Sequence, residues 1–450
     1  MCDKNCIISS SILTSVRLIS IDRELATLNK TEVHFTFDGR ELNALEGDTI
    51  AAALWRNGIK VITRSTKFHR PRGLYCGTGD CPNCLANVNG VPNVRTCITP
   101  VEDGMIVIPQ NMFLSMRFDP VAIMDRLYPH GFNYHHRFIR PRFMTGIYQR
   151  IIRRMTGIGR LPTTRLPGKP TVKINSDIAI IGDEACALRI ADICSKEGLR
   201  TILARTKCGD SENEVRLKNR ENIILISGAS AIGAFDDGSL GIATRDRLYI
   251  SKSKAICIAE KGRELPLRFV NWDLPGIIQS RAAMQLIDMG IKPGREIVIA
   301  GETERAIAVS EMLSKTDSRI NAVLCYTPRE KKSTDPPYLK RGWRVIEAYG
   351  RNELRKIRIS DGEREELSRC DCLITCGRIA PNIELARQLG CHIETDGRSL
   401  PYVKVNPEFE TSRIAVFAIG SPIGRTDSNI TLAEVEILAD AMMRRAREMG

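Results

Sequence analysis

The stretch LYCGTGDCPNCLANVNGVPNVRTC places Cys76, Cys81, Cys84 and Cys97 in the spacing C-x4-C-x2-C-x12-C. Three thiols in one short loop and a fourth further on restrict the fold more than any other feature, because the four sulfurs must converge to act together. This is plant-type 2Fe–2S spacing, in which the fourth ligand arrives from a separate strand. Gly77 and Gly79 permit backbone angles that other residues resist, so the loop can wrap tightly. The N–H groups such a loop exposes can point at sulfur and stabilise the cluster's negative charge. A zinc site is the competing reading, but zinc usually takes two short paired motifs, such as C-x2-C twice. A cluster of this kind moves single electrons and does no bond chemistry on organic substrates.

The flanking sequence suits a small domain around that loop. VHFTFDGREL, Val33 to Leu42, alternates about an Asp-Gly turn and predicts a hairpin. EGDTIAAALWRNG predicts a helix with Asp48 or Thr49 as N-cap and Gly58 as its stop. Hairpin, helix, cysteine loop and further strands predict a β-grasp, ferredoxin-like domain over residues 31–110, preceded by an N-terminal tail, 1–30.

At 450 residues the chain exceeds what a single core supports, so further domains are expected. No apolar run reaches about 18 residues, so no transmembrane helix is expected. The first 30 residues lack a secretory pattern. Fifteen cysteines without such a signal argue for a reducing compartment and for metal or redox chemistry rather than disulfides. A cytoplasmic location is expected, with a peripheral position at the inner face of a membrane left open. The net charge of +13 is uneven: Arg137 to Lys169 holds nine Lys or Arg and no acid. This basic connector, within 111–170, could meet an acidic partner face or an anionic membrane, or simply be solvated; nucleic acid is not expected. RCDCLITCG, Arg369 to Gly377, sets Cys370, Cys372 and Cys376 in a β-rich run, with Cys391 further on. Core packing is the expectation for these thiols rather than a second metal site.

Two strand-turn-helix units follow the connector. DIAIIGDEACALRI, from Asp177, runs an apolar strand into Gly182 and then a helix, while REIVIAGETERAIAVSEML, from Arg295, repeats the pattern at Gly301. Two such units predict an α/β, two-domain FAD/NAD-binding fold of the disulfide-reductase type, Rossmann-like in each half. The FAD-type domain is expected over 171–290 and 370–450, with an NAD-type domain inserted at 291–369. Both phosphate loops are altered in the same way. Gly182 makes the first turn and Ala187 allows close helix packing, but Glu184 stands where a glycine lets pyrophosphate approach. In the second loop Gly301 and Ala306 are kept, and Thr303 takes the middle position. The acid that would hold a ribose hydroxyl is replaced by Ala204 and Arg205 in TILAR.

With these residues in view, the chain resembles the α-type subunits of heteromeric amine and amino-acid dehydrogenases. That family includes the sarcosine oxidase, opine oxidase, hydrogen cyanide synthase and dye-linked proline dehydrogenase complexes. The resemblance rests on FDGRELNALEGDTIAAAL, the cysteine loop, RLYPHGFNYHHRFIRP, LPLRFVNWDLPGI, CGRIAPNIELARQLGC and TSRIAVFAIGSPIG, with KPGREIVIAG after the WDLPG stretch. It implies a complex in which a separate β-type, FAD-dependent subunit oxidises the substrate's C–N bond by hydride transfer. The α-type chain brings the ferredoxin-like domain and the two-domain nucleotide fold, with further small subunits in some complexes. In several members another flavin, FMN or FAD, lies between the α and β chains. Electrons then leave toward oxygen, a quinone or another carrier.

This chain departs from the family at the flavin positions. Ala259 to Gly262 reads AEKG where relatives have an ATG-type strand end, and Gly420-Ser421 stands where they have Gly-Asp. With Glu184 and the missing ribose acid, these departures speak against FAD in this chain while all four cluster cysteines remain. The expectation is a 2Fe–2S electron-transfer and scaffold subunit without its own substrate site. The alternatives are a self-contained FAD-binding oxidoreductase subunit and a non-redox assembly platform.

Overall fold

The structure, a computed structural model, describes residues 31–66, 68–112, 168–206, 212–316, 318–327, 338–397, 399–425 and 429–449, with isolated positions 116, 119, 120, 123, 146 and 162. The 1–30 tail and nearly all of the basic connector lie outside the described residues. The described residues fall into two compact units, one drawn from 1–165 and 266–378, the other from 166–265 and 379–450.

In the first unit, β1 (Glu32–Phe37) and β2 (Arg40–Leu45) form the expected antiparallel hairpin about Asp38-Gly39. Thr49 caps α1 (Ile50–Arg56), its hydroxyl accepting from the Ala52 N–H at 3.3 Å. Asp48 has a different task. Its fully buried carboxylate takes a two-pronged ion pair from Arg56, at 2.9 and 3.1 Å. A carboxylate so placed is tolerated only because it is paired. Strands β3 (Leu85–Val88), β4 (Val91–Arg95) and β5 (Met105–Pro109) complete a sheet in the order β2-β1-β5-β3-β4. β1 and β5 run parallel, the arrangement a β-grasp domain requires.

The second unit is built on β6 (Thr171–Ile181), α2 (Ala185–Lys196), β7 (Thr201–Ala204) and β8 (Ile223–Ile226), then β9 (Ser230–Ala234), β10 (Leu240–Ala243) and β11 (Leu248–Ile258). The sheet order is β8-β7-β6-β11-β10-β9, parallel from β8 to β11. Successive side chains of β6 point to opposite faces. Ile178 and Ile180 enter a core with Ala187, Leu438 and Met442, while Ala179 and Ile181 join Ile202, Leu240 and Leu385 in another. Burial on both faces is what a central parallel strand demands.

The first unit resumes with β12 (Ile277–Gln279), α3 (Ser280–Asp288), β13 (Glu296–Gly301), α4 (Thr303–Leu313), β14 (Arg319–Cys325), β15 (Leu339–Arg341) and β16 (Cys372–Cys376). These strands form one parallel sheet in the order β12-β16-β13-β14-β15. Sequence reasoning placed 277–288 and 370–376 with the FAD-type domain, but both strands pair within the inserted sheet. Ile374 of β16 is the reason, since it lies beside Ile278 on one side and Ile299 on the other. Cys370, Cys372 and Cys376 are buried at and along β16, and burial pushes the Cys370 thiol up to about 12. They behave as small apolar groups.

In the second unit β17 (Val416–Ala418) pairs parallel with β11, and α5 (Leu432–Glu448) follows. Thr431 and Glu434 form a reciprocal capping box at its start. Arg425, with the Thr431 N–H, holds the Glu434 carboxyl down at about 2. Because its folded value is depressed, the contribution of Glu434 to stability is present above its ordinary range and is lost as pH falls toward 2. Thr431→Ala should cost about 1 kcal/mol in urea unfolding at neutral pH. Glu434→Gln should flatten the acid limb of the stability curve relative to the parent protein.

Candidate iron–sulfur centre and a filled nucleotide loop

Cys76, Cys84 and Cys97 are buried and Cys81 is half-buried. The Cys81 and Cys76 sulfurs lie 3.3 Å apart. Cys97 lies within thiol hydrogen-bonding reach of both Cys76 and Cys84. The four therefore form a file, Cys81–Cys76–Cys97–Cys84, which offers two neighbouring pairs of ligands, one pair for each iron of a binuclear cluster. Among the described residues no three His, Cys, Asp or Glu side chains are grouped to hold a single metal ion.

The local electrostatics favour sulfur as thiolate. A hydrogen bond from the Cys81 thiol, with another from Cys97, draws Cys76 far below the ordinary thiol range, and the same contact pushes Cys81 up. Cys97 likewise lowers Cys84 and is itself raised, first by Cys76. Backbone N–H groups reinforce this: those of Thr78 and Cys81 face Cys76, that of Asn83 faces Cys81, and that of Cys97 faces Cys84. Bound iron would take the remaining protons off, since metal binding and thiol ionisation are linked. The donor set thus fits a 2Fe–2S cluster, and Cys76, Cys81, Cys84 and Cys97 are the residues that would hold it.

Gly77 is required where it stands. Its φ is +72°, and a side-chain carbon there would lie 2.7 Å from Ala282 Cα of α3. Buried Thr96 anchors the fourth ligand's approach, its hydroxyl donating to the Cys84 carbonyl at 2.7 Å.

The nucleotide loop of the second unit has a different content. Gly182, φ +139°, brings β6 against β11 so closely that a side-chain carbon would overlap the Ala259 carbonyl oxygen at 1.9 Å. Ala187 is fully buried under the helix, as close packing of helix on strand requires. Glu184, only 6% exposed, sits at the N-cap of α2 without capping it through its side chain. Its side chain instead lies against Gly420: a carbon built there would be 3.2 Å from Glu184 Cγ and 3.5 Å from Cδ. Beside it, Asp183 is ion-paired with buried Arg205 at 3.5 Å and accepts from the Thr206 hydroxyl. Arg205 follows β7, where the ribose acid would stand.

Further along, Glu260 follows β11. Burial, then Glu384, pushes its carboxyl up to about 7. Asp183 adds to that effect. Gly262 is closed in by Ser421 Oγ and the Ala380 carbonyl. A loop that gathers carboxylates at the start of α2, with Glu184 packed against Gly420, offers negative charge where a pyrophosphate needs N–H groups and positive charge. The residues present do not fit FAD in the usual pose. Sequence reasoning identified Glu184, Arg205 and the AEKG stretch that holds Glu260 as changes, but not the Asp183–Arg205 pair or the raised Glu260 carboxyl. No spacing rule marks either.

The inserted sheet repeats the pattern in milder form. A side-chain carbon at Gly301, φ +142°, would overlap the Cys376 carbonyl oxygen, and Thr303 opens α4. Arg305 of the same turn donates to Ser280 Oγ at 2.7 Å, tying the starts of α4 and α3 together.

Residues 30–112 match the 2Fe-2S iron-sulfur cluster binding domain family. The chain is 26% identical over 409 residues to the sarcosine oxidase α subunit of Rhizobium meliloti, an alignment covering 80% of this chain. The chain is thus similar to a sarcosine oxidase α subunit over most of its own length. It spans 40% of the length of that relative. The chain is also 28% identical over 104 residues to hydrogen cyanide synthase subunit HcnA of Pseudomonas aeruginosa, covering 23% of this chain and 95% of HcnA. Among solved structures, L-proline dehydrogenase from P. horikoshii shares the fold, with a TM-score of 0.67 at 17% identity. That match covers 92% of this chain and 74% of the other. The chain thus joins a 2Fe–2S domain to a FAD-oxidoreductase-like fold. Among the described residues no helix is long and apolar enough to cross a membrane.

Two outcomes follow from these arrangements. Replacing Cys76, Cys81, Cys84 or Cys97 by Ser should abolish or bleach the visible absorbance of the reconstituted chain, whereas Cys391→Ser should leave it unchanged. The raised value of Glu260 makes its contribution fully present below its ordinary range and lost as pH rises through about 7. Urea unfolding from pH 5 to 8 should therefore show a decline in the parent protein that Glu260→Gln removes.

Proposed function

We propose that this chain is the electron-transfer and scaffold subunit of a heteromeric, flavin-dependent amino-acid or amine dehydrogenase. The cluster, when bound, supplies one-electron transfer and nothing else. The protein's own part is to hold four thiolates in a buried, N–H-lined loop with Cys81 nearest solvent. Substrate oxidation belongs to a partner, a β-type FAD-dependent subunit. Relatives of this chain carry the names of subunits, which supports a partnered role.

The single observation that carries this reading is the contrast between the two loops. The thiols converge, while the first nucleotide loop holds Glu184 against Gly420 where phosphate would lie. The nucleotide fold then serves as a platform, and any FMN or FAD near it would sit at the partner's interface. The basic connector, with Arg150, Arg153 and Arg154, is assigned to an acidic partner face or a membrane surface.

The test is cofactor content. The full chain purified alone and reconstituted should carry about two irons and two labile sulfides and no stoichiometric FAD. It should reduce no dye with any amino acid until the flavoprotein partner is added. Stoichiometric FAD released by acid from the chain alone would overturn the reading.

A further inference from the structure

Helix α3 meets the cysteine loop at three points, all within the first unit. The Gln279 N–H, at its N-cap, donates to the Tyr75 carbonyl at 2.8 Å, one residue before Cys76. Ala282 Cα lies 2.7 Å from where a side-chain carbon of Gly77 would be, so helix backbone abuts loop backbone. Gln285, one turn on, spans two ligands. Its Oε1 lies 2.9 Å from that same point at Gly77, and its Nε2 donates to the Cys97 carbonyl at 3.0 Å. One amide thus touches the turn after the first thiol and the backbone of the fourth, which are remote in sequence and belong to different candidate iron pairs.

This helix comes from the inserted sheet, not from the β-grasp domain. Its start is tied to α4 by Arg305, and Ala282, Ala283 and Leu286 are buried in the core that also holds Cys76, Cys84 and Cys97. Groups outside the ligand set commonly orient ligands and tune the centre they hold. Reduction potential responds to nearby donors, carbonyls and charge.

We propose that Gln285 is a positioning residue for the cluster and that the inserted nucleotide-type sheet is retained to present it. By engaging the Cys97 carbonyl, Gln285 keeps that dipole's negative end turned from the sulfurs. By lying against Gly77, it keeps the first ligand's turn from opening. The proposal rests on the assignment of the four cysteines as ligands.

The experiment uses the full chain, reconstituted with iron and sulfide, as parent, Gln285→Leu and Gln285→Glu. Leu removes the amide. Glu keeps the shape, removes the donor and adds negative charge, so it remains informative if Leu misfolds. Both variants should change the electron paramagnetic resonance g-values of the reduced cluster and release iron to a chelator about tenfold faster than the parent. The midpoint potential should fall, more for Glu than for Leu, because added negative charge disfavours the reduced cluster. Far-UV circular dichroism should match the parent. Parent-like g-values, potential and release rate in both folded variants would overturn the role of Gln285 while leaving the cluster assignment intact. A parent chain that takes up no cluster would overturn the assignment and the proposal together.

Discussion

The seating of α3 against the cysteine loop is the contact on which the rest of this arrangement depends. The loop from Cys76 to Cys84 contains no strand or helix, so it has little regular hydrogen bonding of its own to fix four sulfurs. Its order must be borrowed. The Gln279–Tyr75 and Gln285–Cys97 hydrogen bonds supply it from a helix whose own position is set by a fully parallel sheet. The lender is rigid for ordinary reasons: β13 and β16 are buried on both faces, and close-packed interiors yield little. Two further ties support the same seat. Arg56 donates to the Met289 carbonyl just beyond α3, and Lys60 donates to the Asp371 carbonyl just before β16. A site set on such elements is held more tightly than one on loops alone.

The second unit shows the opposite economy. There the strand, the turn and the helix persist because each is needed for packing. Gly182 lets β6 approach β11, and Ala187 lets α2 lie on the sheet. What changed is the charge. Glu184 packs against Gly420, Asp183 pairs with Arg205, and Glu260 is pushed toward neutrality by its surroundings. A bound pyrophosphate would have to displace or neutralise these groups at once. Fold and ligand are separable here because the packing residues and the phosphate-facing residues are different side chains on the same turn.

Much of this was legible in the sequence, and the limits are physical. The cysteine spacing, the Asp-Gly hairpin and the glycine turns are local patterns, and local patterns dictate local structure. Thr49 caps α1, one of two residues that could have done so; Asp48 was drawn instead to Arg56, a contact that hydrophobic period does not report. The ownership of 277–288 and 370–376 was misjudged because strand pairing is long-range. Nothing in IIQ or CLITC says which sheet it will join, and only the register of Ile374 between Ile278 and Ile299 decides it. Gln285 was invisible for the same reason: its partners at Gly77 and Cys97 are distant in the chain.

That reassignment changes what the inserted sheet is for. As part of a nucleotide-binding pair alone, α3 would be an incidental helix with no tie to the cysteines. As the helix that abuts Gly77 and holds the Cys97 carbonyl, it is constrained by the ligand loop itself. A one-electron centre needs no substrate pocket. It needs its ligands held in one geometry and its surroundings held in one field, and a parallel sheet of the nucleotide-binding type can supply both.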